Sequence, residues 1–370
     1  MRARTATNAR TKKYRLPVRQ AILERRTYEA PAEGRWGKVR LDFNENTSGC
    51  SPAVLRALRG LSGQELAMYP EYVQRTARIA RRLGVLPAEL LLANGGDDAL
   101  RVFFDMFVED GSSVLICEPT FPMYRYYAEI AGAKIATVRY DAEMRFPLPE
   151  VLAALKKRPR VLFIANPNNP TGTLIGRAAI RAILQAATHT AVVMDEAYAE
   201  FSGFTVLPWI HKYPNLFVVR TFSKAAGLAA LRLGAVMARA DSLQLLRRAM
   251  PPYPVNVMAL VAAEAALADG ATIAKHVRAT VRRRKTFSAA LTELGVRVYP
   301  SAGNFVLADF RAQGPAFFAQ LGRAGILVRE RSKEIAPGFV RISIGTPAEM
   351  DRVAKQARQF ANRVGGGRFS

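Results

Sequence analysis

The stretch VVRTFSKAAGLAALRLG, residues 218–234, joins a short apolar run to a lysine, several small residues and an arginine. The apolar run predicts a buried strand that ends close to Lys224. A lysine in apolar, hydroxyl-lined surroundings can have its pKa lowered until it is a free amine, which condenses with aldehydes. Because most lysines lie on protein surfaces, the stretch alone leaves both interpretations open.

Apolar strand-like runs recur along the chain and alternate with helical patterns. Near-continuous runs of Val, Ile and Leu separated by helices are typical of a mostly parallel sheet that is covered on both faces. We therefore predict an α/β fold with a mostly parallel seven-stranded sheet. The predicted strands are LLLANGG, SSVLICEP, KIATVRY, RVLFIANP, TAVVMDEAY, LFVVRTFSK and LGAVMAR.

Polar clusters directly follow most of these strands. The clusters are NGGDD, CEPTFPMY, NPNNPTG, DEAY and TFSK. Ligands bind beyond the carboxyl ends of strands in sheets of this kind. We therefore expect one shared site formed by these clusters.

The pattern changes near residue 255, where two long helical stretches precede short strands of a smaller, mixed unit. We predict an N-terminal basic arm and packing segment over residues 1–45. A large domain is predicted over residues 46–254, and a small α+β domain over residues 255–370.

The formal net charge of +24 is compatible with nucleic acid or an anionic membrane as a partner. The arginines, however, are spread over helix faces, and the chain has no recognised nucleic-acid motif or apolar run of membrane-spanning length. We expect neither partner. The first 26 residues hold nine Lys or Arg against one Glu, typical of a disordered tail or part of a targeting peptide.

Two cysteines and three histidines also restrict the chemistry. Cys50 and Cys117 are far apart and have no metal-ligand spacing, so we expect no bound metal and no disulfide framework. No serine or cysteine near a histidine resembles a catalytic triad. This cysteine usage is typical of a reducing cytoplasm.

Other strand-end residues are typical of a site for an aldehyde-bearing pyridine. Asp195 ends an apolar strand, where a buried carboxylate needs a cationic partner such as a protonated ring nitrogen. Tyr198 could donate to a phenolate oxygen, and two prolines hold Asn169 in a constrained turn. Taken singly, the DEAY stretch is equally compatible with an exposed acidic pair, Asp195 and Glu196, at a strand end. A turn without function is the alternative for the Asn169 segment.

A phosphate-binding arrangement is also present. Gly95 and Gly96 precede Asp97 where a helix is predicted to begin, and backbone N–H groups at a helix start favour phosphate. Ser223 and Arg232 are the second candidate phosphate contact. An aldehyde-binding lysine, a pyridinium-pairing aspartate, phenolate donors and a phosphate cradle together indicate pyridoxal 5′-phosphate.

The order NEN, GGDD, EPTFPMY, NPNNPTG, DEAY, TFSK, GLAALRLG, NF and GFVRISIGT resembles fold-type I aminotransferases, and among them histidinol-phosphate aminotransferases. The resemblance runs from about residue 28 to the C-terminus. It implies that Lys224 binds the cofactor aldehyde and moves the proton between Cα and C4′. Asp195 would pair with the pyridine nitrogen, and Asn169 and Tyr198 would hold the phenolate oxygen.

The same resemblance assigns the remaining cofactor contacts. The backbone of Gly96 and Asp97 and the side chains of Ser223 and Arg232 would hold the phosphate, with Thr221 as a further contact.

Tyr69 matches a tyrosine that reaches the phosphate across a dimer interface, which implies a homodimer. Phe121 matches the aromatic residue that stacks on the pyridine ring, where tyrosine is more common in the family.

For the substrate, the resemblance implies that Arg341 binds the anionic end. Arg329 and Tyr28 match residues that favour a phosphate-bearing substrate. Arg331 lies two residues beyond Arg329, so the register is open, and an ordinary surface arginine is an alternative for Arg329.

The implied reaction passes the amino group of L-histidinol phosphate to 2-oxoglutarate in histidine biosynthesis. The alternatives are an aminotransferase of the same branch for aromatic or other amino acids, a phosphothreonine-type decarboxylase, and a nucleic-acid-associated protein that retains the fold.

Overall fold

A computed structural model describes residues 17–23, 33–365 and 369 of the chain. Of the basic first 26 residues, 1–16 and 24–26 lie outside the described residues, as does Tyr28. A first short strand, β1 (Val39–Arg40), precedes the large sheet. The large sheet contains β2 (Leu90–Ala93), β3 (Ser113–Glu118), β4 (Lys134–Arg139), β5 (Val161–Ala165), β6 (Ala191–Asp195), β7 (Leu216–Thr221) and β8 (Gly234–Met237).

The strand order in the large sheet is β2-β8-β7-β6-β5-β3-β4. Strand β8 runs antiparallel to both neighbours, and the other pairs are parallel. Every strand predicted for this sheet is present, so the α/β prediction with a mostly parallel seven-stranded sheet is confirmed.

Helices cover both faces of the large sheet because its central strands are apolar on both sides. Along β5, Leu162 and Ile164 belong to one buried cluster, whereas Val161 and Phe163 belong to another on the opposite face. The helices of this part of the chain are α1 (Gln20–Leu23), α2 (Pro52–Arg59), α3 (Gly63–Ala67), α4 (Tyr72–Leu83), α5 (Gly95–Phe107), α6 (Met123–Ile130), α7 (Leu148–Leu155), α8 (Arg177–Ala186), α9 (Ala199–Ser202) and α10 (Ala240–Leu246).

The C-terminal third forms a second, smaller sheet with its own helices. These elements are α11 (Val257–Ala268), α12 (Gly270–Glu293), β9 (Arg297–Val298), β10 (Phe305–Asp309), α13 (Gly314–Arg323), β11 (Ile326–Leu327), β12 (Arg329–Glu330), β13 (Phe339–Ser343) and α14 (Pro347–Gly365). The small sheet has the order β12-β13-β10-β9, with antiparallel neighbours throughout.

Two segments connect these parts. Strand β1 pairs in parallel with β11, and Val39 and Leu41 lie in the apolar cluster of the small sheet. Residues of α11, among them Leu260 and Ala263, instead belong to the core of the large sheet. The proposed domain boundaries at residues 45 and 254 remain predictions.

No single helix in the described part of the chain has the length and apolarity needed to cross a membrane. Helices α11 and α12 meet both requirements only when taken together, as a pair bent by 77°.

Strand β8 crosses the start of α5 so closely that only glycine fits at position 234, the first residue of β8. A Cβ on Gly234 would lie 2.4 Å from the carbonyl oxygen of Gly95 and 2.8 Å from the backbone nitrogen of Gly96. Gly95 has a φ of +90°, a conformation that side chains rarely adopt. The turn at Gly95 and Gly96, where α5 begins, and strand β8 therefore pack backbone against backbone.

We expect Gly234→Ala to lower the free energy of unfolding by about 1–3 kcal/mol, because the new methyl group must displace backbone atoms. The matched control is Gly322→Ala in α13, where a Cβ would meet nothing within 4 Å. That change should raise the free energy of unfolding by up to about 1 kcal/mol. Urea unfolding at one fixed protein concentration measures both, and equal effects would contradict the close packing.

Candidate active site

A cavity of about 470 Å³ opens at the carboxyl ends of the large-sheet strands and reaches the small sheet. Its volume lies in the range of small-molecule and cofactor sites. Most of the residues predicted for the site line this one cavity. They are Gly96, Asp97, Phe121, Asn169, Asp195, Tyr198, Thr221, Ser223, Lys224, Arg232, Arg329 and Arg341.

Lys224 follows β7 and points into the cavity. Its Nζ donates a hydrogen bond of 2.8 Å to the backbone oxygen of Phe43. Burial, with a further contribution from the nearby Arg341 guanidinium, lowers the pKa of Lys224 to about 8. At pH 7, roughly a tenth of the Lys224 side chains are therefore uncharged amines, far more than for an ordinary lysine, and the uncharged amine is the form that attacks an aldehyde.

Asp195 ends β6 and is buried at the floor of the cavity. Its Oδ1 accepts a 3.0 Å hydrogen bond from the backbone N–H of Ala197, and its Oδ2 accepts a 2.7 Å bond from the hydroxyl of Tyr124. Burial raises the pKa of Asp195, whereas these two donors lower it. A buried carboxylate of this kind can pair with a cationic ring nitrogen.

The start of α5 forms one wall of the cavity. Arg232 Nη2 lies 3.1 Å from Asp97 Oδ2, and the residue itself has a φ of +53°. This adds a side-chain contact to Asp97, for which only a backbone role was predicted.

On the same wall, the hydroxyl of Thr221 donates to that of Ser223 at 3.0 Å. The helix start, two hydroxyls and a guanidinium are donors suited to a phosphate group.

Tyr198 is held by a residue that the sequence analysis did not single out. Asn44 Nδ2 donates to the Tyr198 hydroxyl oxygen at 2.9 Å, while the Asn44 side chain also accepts a 2.8 Å bond from Ser343. Because Tyr198 accepts this bond, its own hydroxyl proton can be donated into the cavity. Asn44 is the first residue of the NEN motif, which was the only signal for it in the sequence.

The small sheet supplies a group of arginines to the opposite wall. Arg341 in β13 is the cross-strand partner of Arg329 in β12, and both line the cavity. Arg331 also lines it, because residues two apart on an extended segment point to the same side. Burial, followed by the charges of Arg331 and Arg329, lowers the pKa of Arg341 to about 9, although Tyr198 and Asp42 act in the opposite direction. Arg329 and Arg331 therefore both line the cavity, and which of them takes the predicted substrate role stays a prediction.

Arg341 also forms a hydrogen bond with Asn169, the residue predicted to contact the phenolate oxygen. Its Nη1 donates to Asn169 Oδ1, and its Nη2 donates to the backbone oxygen of Asp42. Arg341 thus contacts the Asn169 turn of the large sheet and the segment after β1.

Tyr69 does not line the cavity of its own chain. Its side chain is 79% exposed and stacks on Tyr253, with 4.6 Å between the ring centroids. Among residues 17–23, 33–365 and 369, no group of three or more His, Cys, Asp or Glu side chains could hold a metal ion.

Residues 37–356 match the family described as aminotransferase class I and II. The chain belongs to this family.

Similar proteins agree with this assignment of the aminotransferase. The histidinol-phosphate aminotransferase of Geobacillus sp. (strain WCH70) is 36% identical over 87% of this chain and 90% of its own length. Histidinol-phosphate aminotransferase 2 of Methylococcus capsulatus is 38% identical over 85% of this chain and 87% of its own. A crystal structure of the Sinorhizobium meliloti histidinol-phosphate aminotransferase in complex with pyridoxal 5′-phosphate has a TM-score of 0.87 and 26% identity. The match covers 96% of this chain and 100% of that one.

The cavity of the aminotransferase fits pyridoxal 5′-phosphate, the cofactor of this family. A lysine with a lowered pKa, a group of phosphate donors and a buried carboxylate all line this one cavity. A Cβ on Gly95 would lie 2.6 Å from Arg232 Nη2, so the glycine leaves room for this guanidinium beside the start of α5. The predicted cofactor is therefore confirmed, whereas the role of each residue remains a proposal.

We expect the lowered pKa of Lys224 to be visible in the cofactor-free aminotransferase. Reductive methylation by formaldehyde and cyanoborohydride needs the uncharged amine, so its rate at Lys224 should reach half of its maximum near pH 8. In the urea-unfolded chain, the same lysine should titrate near an ordinary pKa of about 10.4. Peptide mass spectrometry measures the rate at each pH.

Arg341→Gln is the companion variant for this measurement. Because the Arg341 charge lowers the pKa of Lys224, its removal should move the Lys224 midpoint to higher pH. A folded-state midpoint equal to that of the unfolded chain would contradict the assigned surroundings of Lys224.

Proposed function

We propose that this aminotransferase passes the amino group of L-histidinol phosphate to 2-oxoglutarate, releasing imidazole acetol phosphate and glutamate in histidine biosynthesis. The observation that carries the proposal is the group of arginines, Arg329, Arg331 and Arg341, on the wall of the same cavity as Lys224. Both substrates are anions, one a phosphate and the other a dicarboxylate. The names of the curated relatives support the same choice of amino donor.

When bound, pyridoxal 5′-phosphate supplies an electron-poor ring that accepts the electron pair of a substrate C–H bond. In the proposed site, Lys224 Nζ would take the proton from the substrate carbon that bears the amino group and would return it at C4′ of the bound cofactor. An amine whose pKa is about 8 suits both steps, because it exists in protonated and free forms near neutral pH.

The proposed roles of Tyr198 and Asn169 follow from the hydrogen bonds that these side chains form within the protein. Asn44 and Arg341 occupy acceptor atoms of Tyr198 and Asn169, respectively, which leaves the Tyr198 hydroxyl proton and the Asn169 amide hydrogens as donors. These groups would hold the ring phenolate oxygen, and Asp195 would hold the ring nitrogen.

The phosphate of the cofactor would lie at the start of α5. There it would contact the backbone of Gly96 and Asp97 and the side chains of Thr221, Ser223 and Arg232. Phe121 lies on the cavity wall with a half-buried ring, as a residue that stacks on the pyridine would.

The substrate anion would bind between the arginines of the small sheet. Arg329 and Arg341 are directly opposite each other on neighbouring strands, where like charges destabilise a sheet by mutual repulsion. A phosphate or carboxylate between them relieves this repulsion and can accept bonds from both guanidinium forks. Tyr28 is assigned to the same phosphate by the family resemblance alone.

We further propose a homodimer in which Tyr69 completes the partner's site. Tyr69 and its stacking partner Tyr253 are exposed, and so are Leu66, Met68 and Val73, which lie within four residues of Tyr69 in sequence, with Val73 84% exposed. Contiguous apolar surfaces of this kind mark interaction sites.

The proposal places the enzyme in the cytoplasm, where Cys50 and Cys117 would remain the free thiols that they are in the structure. It includes no nucleic-acid or membrane partner.

The first prediction from this proposal concerns the amino donor. In the cofactor-loaded enzyme without keto acid, L-histidinol phosphate should abolish the visible absorbance of the cofactor as its aldehyde is converted to the amine. L-Phenylalanine, L-tyrosine and O-phospho-L-threonine should react at least about 100-fold more slowly, since a site built for one set of polar groups rejects ligands that lack them. Stopped-flow absorbance gives each rate.

Faster reaction with an aromatic amino acid would assign the enzyme to the aromatic branch. Release of carbon dioxide from phosphothreonine would assign it to the decarboxylases.

As a control on the anion site, Arg341→Ala should slow both half-reactions by about 10- to 100-fold, because it removes a charge-assisted pair from either substrate. An effect on one half-reaction alone would contradict a shared anion site.

The second prediction concerns the shared site of the dimer. A purified heterodimer of a Lys224→Ala subunit and a Tyr69→Ala subunit would contain one site with both changes and one site with neither. It should recover about half of the wild-type turnover, although both homodimers are defective. If Tyr69 acts within its own chain, the heterodimer stays as inactive as its parents.

A further inference from the structure

The tyrosine of the motif EPTFPMY, Tyr124, received no role from the sequence, although it contacts the most deeply placed acid of the site. It lies in the first turn of α6 and is completely buried. Its hydroxyl donates to Asp195 Oδ2 at 2.7 Å, across 71 residues of sequence. No atom of Tyr124 lines the cavity, so its effect on a bound molecule must act through Asp195.

The surrounding rings hold this hydroxyl in place. The Tyr124 ring stacks on Phe163 of β5, with 5.1 Å between the centroids and an interplanar angle of 16°. Phe121 meets it edge to face at 5.8 Å. A ring packed on two sides by aromatic neighbours has little freedom to move its hydroxyl away from Asp195.

Burial, together with the adjacent Asp195 carboxylate, raises the pKa of Tyr124 well above its ordinary value. The tyrosine therefore keeps its proton and acts as a donor at every pH at which the protein works. A donor that cannot ionise stabilises the charged form of the carboxylate that accepts its bond.

Asp195 needs such a donor because opposing influences act on it. Burial is the largest and raises its pKa, and the nearby Asp97 carboxylate acts in the same direction. The Tyr124 hydroxyl, the Ala197 N–H and the Lys224 charge lower it. Among these three groups, only the Tyr124 hydroxyl lies outside the cavity on a side chain from which a single substitution, to phenylalanine, removes it alone.

We propose that Tyr124 is a positioning residue that keeps Asp195 ionised and directed at the cofactor's ring nitrogen, and thereby keeps that nitrogen protonated. The inference rests on the proposed pairing of Asp195 with the ring nitrogen. Without the hydroxyl, the proton shared between carboxylate and nitrogen moves toward the carboxylate, and the ring becomes a weaker acceptor of electrons.

The test compares two cofactors in Tyr124→Phe, which removes only the hydroxyl oxygen. Affinity for pyridoxal 5′-phosphate should fall by roughly tenfold, the range of one hydrogen bond to a charged group. Affinity for 1-deazapyridoxal 5′-phosphate, which carries a C–H in place of the ring nitrogen, should stay unchanged. In the holoenzyme loaded with ring-¹⁵N cofactor, the nitrogen resonance should move toward that of an unprotonated pyridine.

Tyr213→Phe is the matched control, because Tyr213 is buried and its hydroxyl has no hydrogen-bond partner among the described residues. It should change neither the two affinities nor the ¹⁵N resonance. Equal losses of affinity for both cofactors in Tyr124→Phe, or an unchanged ¹⁵N resonance, would overturn the proposal. Either result would reduce Tyr124 to a packing residue.

The variant Asp195→Asn distinguishes a wrong role for Tyr124 from a wrong pairing of Asp195 with the ring nitrogen. If it leaves the ¹⁵N resonance unchanged, Asp195 is not the partner of the ring nitrogen, and the assignment of Asp195 is wrong. None of these readouts needs a substrate, so an incorrect amino donor does not affect them.

If Tyr124→Phe fails to fold, site-specific 3-fluorotyrosine at position 124 replaces it. This more acidic hydroxyl is a stronger donor and should keep the nitrogen protonated to a higher pH. An unaltered titration would then overturn the proposal.

Discussion

Two cations, Lys224 and Arg341, face one cavity at the junction of the two sheets, and their shared desolvation constrains the rest of the site. Burial lowers the pKa of each, to about 8 for the lysine and about 9 for the arginine, and the arginine charge lowers that of the lysine further. Removing charges from water without full pairing costs free energy. Both buried cations lie in the one cavity where the Lys224 amine must be free to react and where Arg341 must bind an anion.

The polar contacts around these cations hold three parts of the chain together. Arg341 in the small sheet bonds to Asn169 in the large sheet and to the backbone of Asp42 in the N-terminal segment. Asn44 repeats the pattern, since it bonds to Tyr198 on one side and Ser343 on the other. The site is therefore also the joint between the sheets, and a ligand that bridges its walls stabilises the folded state by mass action.

Much of this architecture could be predicted from local sequence patterns. The apolar runs located every strand of the large sheet. The strand-end clusters predicted a shared site, and the cavity brings them together. Tyr124 and Asn44 could not be assigned this way, because their partners lie 71 and 154 residues away and their own neighbours in sequence carry no trace of those bonds.

The sequence by itself determined the elements and the chemical inventory, because strand and helix periods and the residues that end them are local properties. Tertiary structure decided which of these groups meet. It placed both Arg329 and Arg331 on the cavity wall, set the Asp97 side chain against Arg232, and left Tyr69 on the surface. Burial and the distance between charges set the pKa values of Lys224 and Arg341, and both quantities exist only once segments far apart in sequence have packed together.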